Sequence, residues 1–306
     1  MSDTPILELK HITKRFGGLV ALQDVDFDLR EGETHALVGE NGAGKSTLMR
    51  ILSGVYNEYE GDYTLDGSHL HLHSPSDALY RGIGMIHQEL NVMPELSVAE
   101  NVFLGRQLHT PYGTIDWRKM NRVAHEELSK LGFEDINVRL PLEHYALGIH
   151  QVVEVLRVIL SGARILIMDE PTSALSPAEV ERLIQIVNDL RNQKRSIIYI
   201  SHFLDEVIRI ADRVTVLRDG QKITTVDAAD TSKSKLISLI LGREMNAVLP
   251  SASETTTERT LLSVKDLNGG AFEDINLNLE AGDSIRLFVS ANGGGCRGRQ
   301  SARQRR

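Results

Sequence analysis

Cysteine is almost absent from this 306-residue chain, which holds a single copy at Cys296. One thiol excludes both a disulfide framework and a metal cluster built from cysteines. Long apolar runs are missing too, since none approaches the roughly 20 residues that a membrane-spanning helix needs. The first residues, MSDTPILELK, lack the charged-then-apolar order of a signal peptide. We therefore expect a protein that is made and kept in the cytosol.

Positive charge is also in short supply. The chain has 34 Lys and Arg against 42 Asp and Glu, and five of those arginines fall in the last ten residues. An acidic body of this kind argues against a nucleic-acid-binding protein. Hydrophobic residues make up 41% and charged residues 25% of the sequence. These proportions are ordinary for a folded protein and exclude collagen, coiled-coil arrays and general disorder.

The sequence repeats itself at a shift of 250 positions, where ALQDVDFDLREGETHAL (21–37) matches AFEDINLNLEAGDSIRL (271–287). So long a period indicates tandem duplication of a whole domain rather than a solenoid. We expect a first domain over 5–245, a polar Ser/Thr-rich linker over 246–260 and the start of a second domain over 261–289. The remaining residues, 290–306, are rich in Gly and Arg without apolar periodicity, and predict a disordered basic tail.

Short apolar runs alternate with helical patterns in the first domain. The runs at 34–38, 164–168 and 196–200 are each followed by turn residues and then by helical periodicity. This alternation predicts an α/β domain with a mainly parallel sheet. One helix is predicted from Pro177, with Ser176 and Glu179 as a capping box, and another from Asp116.

The strongest motif is Gly39-Glu-Asn-Gly-Ala-Gly44-Lys45-Ser46, which fits the phosphate-loop pattern and stands between a predicted strand and a predicted helix. Its glycines allow backbone N–H groups to turn toward phosphate oxygens, and the helix N-terminus adds positive partial charge. Lys45 would reach the β- and γ-phosphates, and Ser46 would bind Mg²⁺. The alternative, an ordinary glycine-rich turn, does not account for the flanking strand and helix.

A second motif is the acidic pair Asp169-Glu170 at the end of the apolar run 164–168. Open α/β sheets bind ligands at the carboxyl ends of their strands. Asp169 would therefore hold Mg²⁺, and Glu170 could polarise the water that attacks a γ-phosphate. Taken alone, the pair could equally be an acidic turn at the start of a helix.

Together the motifs resemble the ATP-binding cassette ATPases, and specifically the two-domain ATPase subunits of bacterial sugar importers. The matching segments occur in family order: Phe16 in KRFGGLVAL, the phosphate loop, Gln88 in MIHQELNVMPELSVAENVFLGR, the helix start HYALGIHQVVEV, Asp169-Glu170, the SALS turn 173–176 and His202 in YISHFLDEV. The resemblance covers 5–245 and resumes over 261–289. It implies a P-loop NTPase fold of the cassette type: a mainly parallel sheet core, an antiparallel β subdomain and an inserted helical subdomain at about 90–160.

The resemblance also implies a set of site residues. Phe16 would stack on adenine, and Glu170, His202 and Gln88 would act in catalysis. Each of the weaker matches has a plainer reading, with Phe16 as a core or hairpin aromatic, Gln88 as a loop residue and His202 as a core or capping histidine. The implied ligands of ATP are Gly39, Asn41, Gly42, Gly44, Lys45, Ser46, Thr47 and Gly148, and those of Mg²⁺ are Ser46, Gln88 and Asp169.

Partners follow from the same resemblance. An importer ATPase would work with an integral-membrane sugar permease and, indirectly, with a periplasmic sugar-binding protein, and would close against a second ATPase domain or a second copy of the chain. It would lie on the cytoplasmic side of the inner membrane, or stay soluble if unassembled. No nucleic acid is expected, and the sequence does not indicate which sugar is carried.

Two departures from the family pattern alter these expectations. The signature loop aligns with Tyr145–Ile149, where Ala146 replaces a serine that normally bonds a γ-phosphate, while Gly148 is kept. At the 250-position shift, Lys45 is matched by Gly295, so the second phosphate loop is lost. We expect a frameshifted or otherwise truncated gene product, the alternative being a natural basic tail.

Three functions therefore remain open. The first is the ATPase subunit of a sugar importer. The second is a cassette ATPase of DNA repair or chromosome organisation, which is disfavoured because the sequence has no long coiled-coil insert or basic face. The third is a nucleotide-binding fragment with little or no turnover.

Overall fold

The computed structural model describes residues 4–87, 91–173, 175–242, 260–269 and 272–280. The chain divides into two compact units, Met1–Arg243 and Glu244–Arg306. The expected tail 290–306 and all but the last residue of the expected linker 246–260 lie outside the described residues.

The centre of the first unit is a sheet whose described strands follow the order β10-β9-β3-β8-β7-β6. All neighbours pair in parallel except β10, which is antiparallel to β9. The inner strands β3 and β8 are buried along their whole length, as expected for strands covered on both faces. The predicted α/β fold with a mainly parallel sheet is confirmed. Its strands are β3 (Thr34–Val38), β6 (Ile83–Ile86), β7 (Ile165–Asp169), β8 (Ser196–Ile200), β9 (Arg213–Arg218) and β10 (Gln221–Asp227).

An antiparallel sheet in the order β2-β1-β4-β5 forms a second layer. The apolar side chains of its long hairpin alternate with polar ones, and Leu7, Leu9 and Phe27 are fully buried. They pack with helix α1 (Lys45–Leu52) and with residues from five strands of the parallel sheet in one apolar cluster. The strands are β1 (Pro5–Phe16), β2 (Leu19–Arg30), β4 (Glu60–Leu65) and β5 (Ser68–His69).

The helices follow the signals expected from the sequence. Asp116 caps α4 by accepting from the Lys119 amide at 2.9 Å, and the capping box of Ser176 and Glu179 starts α6. Between β6 and β7, buried residues of α3, α4 and α5 form a helical layer that packs on α6. The helices are α1 (Lys45–Leu52), α2 (Pro75–Tyr80), α3 (Val98–Val102), α4 (Trp117–Lys130), α5 (Leu147–Leu160), α6 (Pro177–Asn192), α7 (Leu204–Ile210) and α8 (Lys233–Leu241).

The described part of the second unit is a hairpin of β11 (Thr260–Gly269) and β12 (Phe272–Glu280). Its register repeats that of β1 and β2. Leu262 pairs with Leu279 as Leu7 pairs with Leu29, and Val264 with Leu277 as Leu9 with Phe27. The two hairpins therefore present the same alternation of side chains.

The irregularity in the hairpin is repeated as well. His11 in β1 and Asp266 in β11 both have a positive φ, of 55° and 50°. The His11 amide donates to Asp26 at 2.8 Å, and the Asp266 amide donates to Asn276 at 2.9 Å. A shared bulge, held by the same kind of side-chain acceptor, supports the interpretation of the two segments as copies of one hairpin.

A buried histidine lies at the junction of the two layers in the first unit. His35, on β3, is fully buried, and its Nε2 is 2.7 Å from the hydroxyl of Thr215. Burial, helped by the positive charge of Arg213, lowers the pKa of His35 to about 3. Arg213 is itself paired with Asp28 and Glu33. The imidazole is therefore neutral at physiological pH.

We predict that His35 makes the protein sensitive to mild acid. In the unfolded chain an imidazole titrates near pH 6.5, so the stability conferred by neutral His35 is complete above that value and is lost as the pH falls toward 3. The free energy of unfolding should drop by up to about 1.4 kcal/mol per pH unit below pH 6.5. The free energy of unfolding, measured with urea between pH 8 and 5, should depend less steeply on pH in His35→Gln than in wild type. His125 is exposed, so His125→Gln should show the same pH dependence as wild type. Equal slopes in all three proteins would contradict the prediction.

Candidate functional site

A cavity of about 810 Å³ opens between the antiparallel layer and the start of α1. It receives the end of the β1–β2 hairpin on one side and the carboxyl end of β7 on the other. Nine of the predicted site residues line this cavity: Phe16, Asn41, Gly42, Gly44, Lys45, Ser46, Thr47, Asp169 and Glu170.

The phosphate loop leads from buried β3 directly into α1, as predicted. Gly44 is the N-cap of α1, with φ of 100°, and glycine has no side-chain oxygen to cap the helix. The first-turn amides, including those of Lys45, Ser46 and Thr47, have no partner within the helix itself. The Lys45 ammonium donates to the carbonyls of Gly39 at 2.8 Å and Glu40 at 3.0 Å, so the loop closes around it. Backbone donors and one buried cation are thus collected at a single anion-binding surface.

Two of the loop glycines are required by close backbone approach. A Cβ at Gly39 would lie 2.3 Å from the carbonyl oxygen of Leu217. A Cβ at Gly44 would lie 2.6 Å from Leu22 and 2.9 Å from the carbonyl oxygen of Ala21. Because the contacts with Leu217 and Ala21 are made by backbone oxygens, no side-chain rotation can relieve them. The loop keeps its shape only with glycine at both positions.

The acidic pair ends β7 beside the loop. Burial, and then repulsion from Glu170, raises the pKa of Asp169, while burial lowers the pKa of Lys45 against the attraction of both carboxylates. Glu170 adopts a positive φ of 47°, which a non-glycine residue rarely takes. Asp169 and Glu170 both line the cavity. A cluster of oxygen ligands next to an anion site is the set that Mg²⁺ prefers.

His202 contacts Glu170 rather than the cavity itself. Its Nδ1 lies 3.3 Å from Glu170 Oε2, and its ring is tilted at 40° to that of Phe203, with centroids 4.0 Å apart. The Glu170 amide donates to the carbonyl of Ile200, the last residue of β8, at 3.0 Å. Neighbouring parallel strands thereby bring the carboxylate and the imidazole together.

Among the described residues, three of the predicted site do not line the cavity, namely His202, Gly39 and Gly148. Gln88 lies outside the described residues. Gly148 is in the first turn of α5, where its amide donates to Glu179 Oε1 at 3.0 Å, and a Cβ there would lie 2.3 Å from that oxygen. Ala146 is the N-cap of α5 and has no hydroxyl to cap it. The start of α5 is therefore capped by a carboxylate from α6.

Sequence reasoning missed seven residues that line the cavity, among them the charged or aromatic residues Arg50, Tyr56 and Asp219. Arg50 lies one helical turn after Ser46, and that spacing could have placed it on the same face of α1. Tyr56 lies in an irregular segment after α1, where no periodic pattern marks it. Its ring meets that of Phe16 edge-on, with centroids 5.2 Å apart.

Comparison with known proteins identifies the family. The family model described as "ABC transporter" matches residues 22–173. The chain is 44% identical over 293 residues to a putative ribose/galactose/methyl galactoside import ATP-binding protein 2 of Burkholderia cenocepacia, covering 95% of this chain and 57% of the relative. It is 40% identical to the xylose import ATP-binding protein XylG of Ralstonia nicotianae, covering 99% of this chain and 62% of the relative. The chain thus spans little more than half the length of these relatives.

Solved structures agree on the fold. A nucleotide-free ATP-binding cassette from an ABC transporter superposes with a TM-score of 0.66 at 24% identity, covering 78% of this chain and 96% of that chain. The ADP conformation of the cassette MJ1267 gives a TM-score of 0.67 at 22% identity, with 78% and 95% covered. These similarities confirm the predicted cassette fold.

We predict that Glu179 stabilises two helix starts at once. Its Oε2 accepts from the amide and hydroxyl of Ser176 at 2.8 and 2.7 Å, and its Oε1 accepts from Gly148. The Ser176 donors lower the pKa of Glu179, so this stabilisation is present above the ordinary glutamate pKa and is lost as the pH falls through the lowered one.

Glu179→Ala should lower the free energy of unfolding by about 1–2 kcal/mol at pH 7, as expected for lost capping bonds. Glu181→Ala is the matched control, because this nearby residue of α6 makes only an exposed ion pair with Arg209, worth about 0–1 kcal/mol. Chemical unfolding of both variants checks the difference. Equal stability of the two variants would show that Glu179 stabilises neither helix start.

Proposed function

Because the chain belongs to the ABC transporter family, we propose that its first unit binds Mg²⁺-ATP and hydrolyses it as the ATPase component of a sugar importer. The observation that carries this proposal is the convergence of the phosphate loop and the acidic pair on one cavity. An anion-binding helix start and two adjacent carboxylates suit a nucleotide whose phosphates are bridged by a cation.

The phosphates of ATP would lie on the first turn of α1. Lys45 would exchange its bonds to the Gly39 and Glu40 carbonyls for phosphate oxygens. The amides of Ser46 and Thr47 would donate to the same oxygens, with Asn41 and Gly42 closing the outer side of the loop. Phe16, at the far end of the cavity, would stack on adenine.

Mg²⁺ fits the donor set present. The Ser46 hydroxyl and the Asp169 carboxylate line the same cavity and would hold the ion, with Gln88 as a further proposed ligand. Burial, and then repulsion from Glu170, raises the pKa of Asp169. When bound, the ion neutralises phosphate charge.

Hydrolysis would depend on Glu170 and His202. Glu170 would accept a proton from the attacking water while the water oxygen bonds to the γ-phosphorus. The bond between the γ-phosphorus and the bridging oxygen breaks, which releases ADP and phosphate. His202, whose Nδ1 lies 3.3 Å from Glu170 Oε2, would hold that carboxylate toward the water and reach the γ-phosphate. Gln88 would contact the same water.

Transport is proposed from the names of the relatives, which are a putative ribose/galactose/methyl galactoside import ATP-binding protein and a xylose import ATP-binding protein. The chain would drive a membrane permease for a monosaccharide, supplied by a periplasmic sugar-binding protein, from the cytoplasmic face of the membrane. Closure around ATP would need a second ATPase domain or a second copy of the chain. Among the described residues, every helix is too short or too polar to cross a bilayer.

A second candidate is a nucleotide-binding fragment with little or no turnover. It is favoured by Ala146, which offers no hydroxyl to a γ-phosphate held by a facing domain. Both candidates share the same ATP site, so binding and turnover must be measured separately.

Replacing Lys45 tests the shared site. Lys45→Ala should weaken Mg²⁺-ATP binding at least tenfold, because it removes a buried ammonium that would donate charge-assisted hydrogen bonds to the phosphates. Isothermal titration calorimetry measures the change. Lys130→Ala, which removes an exposed lysine on α4, is the matched control and should bind like wild type. Unchanged affinity in Lys45→Ala would refute the proposed function.

Replacing Glu170 separates the two candidates. Glu170→Gln keeps the shape of the side chain but cannot accept the proton, so we expect Mg²⁺-ATP affinity within about twofold of wild type and phosphate release reduced roughly a hundredfold. Continuous phosphate detection with the purified chain measures turnover. Release at background in both proteins, with binding intact, identifies the nucleotide-binding fragment instead.

A further inference from the structure

An aromatic corner forms the end of the cavity away from the phosphate loop. Phe16, the last residue of β1, and Tyr56, in the segment after α1, meet at an interplanar angle of 66° with centroids 5.2 Å apart. This edge-to-face arrangement is a favourable one for two aromatic rings. The Phe16 ring remains 40% exposed on its other sides. A ring so exposed would rotate freely unless a neighbour restrained it.

Tyr56 is itself fixed to the helix that starts at the phosphate loop. The guanidinium of Arg50, in the last turn of α1, donates to the Tyr56 hydroxyl at 2.9 Å. The same guanidinium lies 5.7 Å from the centre of the Tyr56 ring. The ring is therefore held from α1, whose first turn lines the phosphate end of the cavity. Helix α1 therefore connects the phosphate end of the cavity with the aromatic end.

A buried ammonium group joins the two rings. Lys14 is only 8% exposed, and its Nζ donates to the carbonyl of Glu58. That Nζ lies 5.1 Å from the centre of the Phe16 ring and 5.4 Å from that of Tyr56. Cation–π attraction toward both rings favours their observed arrangement over others. The corner is thus a supported structure rather than two adjacent side chains.

We propose that Tyr56 is a positioning residue that holds Phe16 in the orientation that stacks on the nucleobase. The inference rests on the proposed function. It adds a residue that contributes to binding of the nucleobase and does not contribute to binding of the phosphates. Ordering the Phe16 ring before ligand arrives removes an entropic penalty from binding. The effect of Tyr56 should therefore pass through Phe16 and should be absent for a ligand without a base.

The experiment compares two ligands, Mg²⁺-ATP and Mg²⁺-tripolyphosphate, by titration calorimetry on the full chain. Tyr56→Ala should weaken ATP binding by about threefold to tenfold, the range given by the energy of one aromatic pair. Tripolyphosphate affinity should stay unchanged. In a Phe16→Ala background, the further change Tyr56→Ala should have no additional effect on ATP binding.

Two more variants sharpen the result. Tyr56→Phe keeps the ring and loses only the Arg50 bond, so its loss of ATP affinity should be smaller than that of Tyr56→Ala. Tyr112→Ala, at a tyrosine that is 93% exposed and does not line the cavity, should match wild type for both ligands.

Several outcomes would overturn the inference. Equal weakening of ATP and tripolyphosphate by Tyr56→Ala would indicate general damage to the cavity. Additive losses in the double variant would indicate that Tyr56 acts independently of Phe16, and unchanged ATP affinity would show no role in binding. If Lys45→Ala abolishes binding of both ligands while Tyr56→Ala changes neither, the proposed function stands and only this inference fails. If the unmodified chain binds neither ligand, both fail together.

Discussion

The site depends on the close approach of the phosphate-loop backbone to two other backbone segments. Gly39 packs against a carbonyl of β9, and Gly44 packs against the carbonyl of Ala21 in β2. The turn after β9 also bonds to both the loop and β2. The Gly220 amide donates to the carbonyl of Ala43 at 3.2 Å, and the Gly220 carbonyl accepts from the amide of Gln23 at 2.8 Å. The loop is therefore held between the two layers of the unit. Any side chain beyond hydrogen at these glycines would separate the layers and displace the start of α1.

The order of strands in the parallel sheet determines which side chains lie next to the phosphate loop. The loop follows β3, and β8 and β7 are the next strands in the sheet. All three run in parallel, so their carboxyl ends reach one edge, where β7 delivers Asp169 and Glu170 and the segment after β8 delivers His202. The 3.3 Å contact between Glu170 and His202 is thus a consequence of sheet order. The antiparallel layer supplies Phe16 to the same cavity from the other side.

Local signals in the sequence were sufficient to predict much of the fold and part of the candidate site. The phosphate loop, the buried strands and the capped starts of α4 and α6 each depend on residues close together in the chain, and all are found as predicted. Other features depend on contacts between distant residues. Tyr56 reaches Phe16 across 40 positions of sequence, and His35 meets Thr215 across 180. Neither side chain lies in a pattern that marks its partner, so only the folded arrangement reveals them.

The two glycine-containing helix starts, of α1 and α5, show how the same local chemistry is used differently. At α1 the N-cap is a glycine, and the first-turn amides face the cavity, where an anion would satisfy them. At α5 the N-cap is Ala146, and the amide of Gly148 is already satisfied by the carboxylate of Glu179. A phosphate approaching α5 would meet a negative charge and one donor fewer, whereas at α1 it would meet Lys45. Electrostatics within this unit therefore favour α1 as the anion-binding helix, and both the Glu179 carboxylate and the missing hydroxyl at position 146 contribute to that difference.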